Sequence, residues 1–76
     1  MITRTREMNE NGGFNETLTE EQSSGELNVN SKGDMQWSIK VYKDSPEDWI
    51  KTTKAFLYEI NEAKQEAIKL GLIKPQ

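Results

Sequence analysis

The chain contains no cysteine and no histidine among its 76 residues. The first absence excludes a disulfide staple, a thiolate metal site and a cysteine nucleophile. The second removes the commonest general base and the commonest metal ligand. Long apolar runs are missing too, with nothing approaching the roughly 18 residues of a membrane span, so no membrane partner is expected. Carboxylates, lysines, hydroxyls and two tyrosines are the reactive groups that remain. A chain this short seldom walls a pocket around such groups, so an enzyme is not expected, and no cofactor or metal is implied. Met1-Ile2-Thr3-Arg4-Thr5-Arg6 carries two arginines with no apolar stretch behind them, unlike a secretory signal. The expected location is intracellular and cytoplasmic, and Asn15-Glu16-Thr17 then reads as a chance match to a glycosylation acceptor.

What is present is unevenly divided. Residues 35–73 hold eighteen of the 25 apolar side chains, whereas residues 1–26 offer only Met1, Ile2, Met8, Phe14 and Leu18. Charge divides at nearly the same place: residues 1–31 carry a net -4 and residues 32–76 a net +1. A segment so poor in apolar groups cannot bury enough surface to offset the entropy of ordering it. The sequence therefore predicts an acidic, largely flexible arm over residues 1–25 and a folded domain over residues 26–76. One signal points the other way. Asn11-Gly12 is a favoured pair for a two-residue hairpin turn, and pairing there would extend the sheet with N-terminal strands.

From Glu26 to Tyr42 the pattern has period two. Leu27 and Val29 share a face, Asn30-Ser31-Lys32-Gly33-Asp34 supplies a turn, and Met35, Trp37, Ile39 and Val41 share a face again. Gln36, Ser38, Lys40 and Tyr42 occupy the other side, which describes a half-buried hairpin with one wet face. Ser45-Pro46-Glu47-Asp48 then opens a helix: a hydroxyl at the N-cap, proline where no amide donor is missed, and acids at the positive dipole end. Gly71 fits a left-handed stop, with Leu72 packing back and Pro75 blocking continuation. The helix is expected over residues 46–70, and the fold class is α+β, a small β-hairpin packed on one long C-terminal helix.

Trp49, Thr53, Phe56, Ile60, Ala63, Ala67 and Leu70 recur at steps of four and three, and Ile50, Leu57 and Ile68 widen the stripe. The large residues suit the hairpin, while Ala63 and Ala67 would admit a second helix. A lone hairpin and helix is a marginal object. A homodimer is therefore expected, with Phe56, Ile60, Ala63, Ala67 and Leu70 as its interface.

Glu59, Glu62 and Glu66 line one flank of the helix, and Tyr58 points away from the apolar arc, where a stiff, half-polar ring is suited to binding. Tyr58, Tyr42, Glu59, Glu62 and Glu66 are the candidate contacts for a protein partner. Lys64 falls inside the arc, where it either snorkels or sets the register of a helix pair. Lys32, Lys40, Tyr42 and Lys43 combine charge with an aromatic on the wet strand face, as single-strand binders do. An isoelectric point near 4.9 opposes that reading. The stretch from Trp37 to about Ala63, alternation leading through a turn into a serine-capped helix, is similar in outline to small antitoxins of the HicB-like type, although it lacks their glycine-rich turn. The expected function is a small non-enzymatic protein–protein interaction module. Its composition suits an accessory or inhibitor protein, as viruses and mobile elements carry. The alternative is a nucleic-acid-binding or antitoxin-like regulator using the Lys40, Tyr42 and Lys43 face.

Overall fold

The computed structural model describes residues 1–74, and Pro75 lies outside the described residues. The described residues form an antiparallel sheet of four strands, β1 (Thr3–Met8), β2 (Phe14–Glu20), β3 (Ser23–Val29) and β4 (Met35–Lys40), in sequential order, followed by one helix, α1 (Pro46–Lys69). The expected hairpin is β3 and β4, with Leu27 opposite Trp37 and Val29 opposite Met35.

The flexible arm needs correction. Residues 3–8 and 14–20 are strands, and the boundary drawn after residue 25 falls inside β3. The inner face of this half is built largely from charge, which is why a count of apolar residues missed it. Glu16 is buried at 3% exposure directly opposite Arg6. Arg4 Nε and Nη2 donate to Glu16 Oε1 at 3.3 and 3.1 Å, and Arg6 Nε donates to Oε2 at 2.6 Å. On either side of Glu16 along the inner face of β2, Phe14 and Leu18 are fully buried.

The connections follow local chemistry. The β1–β2 loop spans residues 9–13 and is closed by the Asn9 amide donating to the Gly13 carbonyl at 2.8 Å. Gly12 alone has positive φ there, so the expected two-residue Asn11-Gly12 turn, which needs two such residues, is replaced by a longer loop. Between β3 and β4, the Asn30 side-chain oxygen accepts from the amides of Lys32 and Asp34 at 2.9 and 3.0 Å, an Asx-type turn. Ser45 caps α1 by accepting from the Asp48 amide at 3.1 Å. At the other end Gly71, φ +76°, donates to Ile68 and Leu72 donates to Ala67, the two bonds of a Schellman motif.

The core lies between one face of the sheet and α1. Phe14, Leu18, Leu27 and Val29 meet Phe56, Ile60, Ala63 and Ala67, and Ile73 folds back to join them. This corrects the helix seam as well. Phe56, Ile60, Ala63 and Ala67 are spent on the chain's own sheet, because two extra strands supply the surface that a lone hairpin lacked. The small alanines admit the sheet, not a second helix. Leu70 stays 60% exposed. At 1.5 Å per residue α1 is about 36 Å long, and its first turn, with Trp49 and Ile50 exposed, runs past a core that starts at Thr52.

Candidate functional site

Two flanks of α1 border the core, and they differ in chemistry. Glu59 and Glu66 turn toward β1, where Arg4 reaches them at 3.7 and 3.1 Å and Arg6 reaches Glu66 at 3.6 Å. Burial acts against the Arg4 charge, but hydrogen bonds and charge from Glu16 and Glu66 outweigh it and hold the guanidinium still more firmly protonated. The acidic flank therefore works inside the molecule. Glu59 and Glu66 brace helix to sheet, and Glu62 stays exposed. Among the described residues, no group of three or more acidic side chains is placed to hold a metal ion.

The other flank faces β4. Lys64 borders a hollow of about 270 Å³ with Gly33, Asp34, Met35, Ile73 and Lys74, which places that side of the helix over the start of β4. Leu57 and Ile50 lie on this flank at 100° per residue, exposed at 40% and 48%. Trp37 sits on the inner face of β4 in line with Leu27 and is 51% exposed, while Met35 and Ile39 on either side of it pack against the core. Among the described residues β4 pairs only with β3, so a row of backbone donors and acceptors is open along its other side. An unpaired strand edge beside exposed tryptophan, leucine and isoleucine is a surface on which an extended segment could add a strand and bury apolar groups.

The remaining expected contacts do not converge. Tyr58, 66% exposed, is on the solvent side of α1. Tyr42 lies beyond β4 with Glu21, Gln22, Lys43, Asp44 and Asp48 around a shallow hollow, and its amide donates to the buried Ser23 hydroxyl at 3.0 Å. The basic strand face is also thinner than the sequence suggests. Lys43 Nζ is 2.9 Å from Glu21 and 3.5 Å from Glu20, so its charge is already matched. Lys32 lies in the β3–β4 turn, and Lys40 shares the outer face with Glu26. That outer face is otherwise small and polar, with Thr5, Thr17, Glu26 and Ser38 in one row across the four strands. At its loop end, Asn9, Asn11, Asn15, Asn28, Asn30 and Gln36 border an open, amide-rich hollow of about 270 Å³.

The Trp37, Ile50 and Leu57 surface was missed by reasoning from sequence, which assigned all three to a buried face. Period and helical phase place a residue on a side but do not say how far a helix reaches across its sheet. Among the described residues, no helix is long and apolar enough to cross a membrane. No protein-family model matches the chain, and neither a curated protein nor a solved structure shows significant similarity to it.

Proposed function

We propose that the chain is a non-enzymatic interaction module that binds a protein segment along the margin formed by β4 and the adjacent flank of α1. The observation that carries this reading is the open edge of β4 with Trp37 half exposed beside it. Strand addition supplies affinity through backbone hydrogen bonds, and the apolar flank supplies a pocket for alternate side chains. Such a module acts by occupying its partner, which is how a small accessory or inhibitor protein works. The matched charge of Lys43 and the presence of Glu26 beside Lys40 weigh against nucleic acid as the partner.

The test is site-specific photo-crosslinking in cells, with a benzophenone side chain at position 57 and a control at position 5 on the outer face of β1. Covalent protein adducts from position 57 and none from position 5 are expected. Equal yields at both positions, or none at position 57, would remove the margin as a binding surface.

A further inference from the structure

The two free edges of the sheet are not alike. β1 points Arg4 and Arg6 into the inner face, half-buried and tied to Glu16. Inward-pointing charge is one of the ways sheets resist edge-to-edge pairing. β4, with the sequence Met35-Gln36-Trp37-Ser38-Ile39-Lys40, has no inward charge, no proline and no glycine. Its inward residues are Met35, Trp37 and Ile39, and its outward ones are Gln36, Ser38 and Lys40.

We propose that the occupant of this edge is a second copy of the chain, whose β4 pairs antiparallel with the first about a two-fold axis through Trp37. The two sheets then form one sheet of eight strands with both helices on the same face. This rests on the reading of the β4 margin as a binding surface, and adds its partner and its register.

Charge selects the register. With the axis at Trp37, Met35 faces Ile39 of the second copy on the inner side, and Gln36 faces Ser38 on the outer side. Asp34 then faces Lys40, and by symmetry the contact occurs twice. Moving the axis to Gln36 would leave Lys40 past the end of the second copy's β4, level with its turn, and moving it to Ile39 would set Lys40 against Ser38 and leave Asp34 past the other end of that strand, with neither charge matched. An axis at Ser38 leaves Asp34 opposite Tyr42 and Lys40 opposite Gln36, with neither charge matched. Like charges directly opposite one another destabilise a strand pair and opposite charges stabilise it. The chosen register also brings the two half-exposed Trp37 side chains together at the axis. There the two rings cover one another, between the α1 flanks that carry Leu57.

Sedimentation equilibrium of the full chain tests the pairing, with circular dichroism checking that each variant stays folded. The wild type is expected to dimerise reversibly. Lys40→Asp and Asp34→Lys should each raise the dissociation constant about tenfold, equivalent to about 1.4 kcal/mol, and the double variant should recover most of the loss. Because the chain has no cysteine of its own, a mixture of Gln36→Cys and Ser38→Cys chains should form the mixed disulfide on oxidation in preference to either homodimer. A predominant Ser38→Cys homodimer would place the axis at Ser38 and overturn the register. Dimerisation indifferent to both charge reversals and to Trp37→Ser would overturn the pairing altogether. A chain that stays monomeric while position 57 still captures other proteins would overturn self-pairing and leave the binding reading standing. A monomer without adducts would end both.

Discussion

Gly25 lies directly beneath the ring of Phe56: a Cβ built on Gly25 would meet Phe56 Cδ1 at 3.1 Å and Leu18 Cδ1 at 3.7 Å. Glycine in the middle of a strand normally weakens it, and here its missing side chain is what lets α1 seat on the sheet. Phe56 and Leu18 are both fully buried, with little room to retreat. Gly25→Ala should therefore lose about 1 kcal/mol, the overpacking being partly offset by better strand propensity, and Gly25→Val about 3 kcal/mol. Urea denaturation checks both. A Gly25→Val chain as stable as wild type would mean the helix can lift without cost.

Much of the C-terminal half was legible because its local signals agree with one another. Ser45, Pro46, Asp48 and Gly71 act where they stand, through caps and dihedral angles that need no distant partner. Leu27, Val29, Met35 and Ile39 alternate as a half-buried hairpin must. The N-terminal strands were hidden for two reasons. Their inner face holds Arg4, Arg6 and Glu16, whose burial is tolerable only because they meet one another across strands, and no single segment displays that pairing. Their link to β3 is the two-residue turn Glu21-Gln22, in which Glu21 takes φ +53° without the glycine or asparagine that would announce it. The candidate site was hidden because it depends on where α1 lies across the sheet.

The Glu16 carboxylate holds two guanidiniums at the margin of the core, so its removal leaves cations without their nearest partner. Glu16→Gln should destabilise by about 3 kcal/mol, the usual cost of breaking a buried ion pair from one side. Replacing both members with apolar groups is a different experiment. Glu16→Leu combined with Arg6→Met should fall within about 1 kcal/mol of wild type, since Arg4 keeps Glu59 and Glu66. Thermal unfolding of the single and double variants separates the outcomes. Equal losses in the two would show that apolar side chains do not replace the ion pair and that its charge itself stabilises the fold.

Thr53 Oγ1 is buried with no hydrogen-bond partner among the described residues. A buried hydroxyl without a partner loses its hydration and gains nothing in return. Thr53→Val keeps the shape and the helix propensity while removing the polar atom. The expected result is a gain of about 1 kcal/mol in unfolding free energy. A loss of that size would show that the hydroxyl is satisfied in solution, through the backbone of α1 or a bound water.

Lys43 joins the β2–β3 turn to the segment after β4, with Nζ donating to Glu21 Oε2 at 2.9 Å. That hydrogen bond, and then the lysine's charge, hold the Glu21 carboxyl below the usual carboxylate range. The same bond raises Lys43, outweighing its loss of hydration. A carboxyl lowered in the folded state adds stability that is present above its unfolded value and is lost as pH falls through the folded one. A raised lysine adds stability that is present below its unfolded value and is lost as pH climbs through the folded one. Both contributions therefore operate near neutrality. Lys43→Met should lower the urea midpoint at about pH 7, and the gap from wild type should close as the pH falls through the lowered Glu21 value and that carboxylate is protonated. A gap that persists at low pH would assign the role of Lys43 to its aliphatic stem packed along the surface, not to its charge.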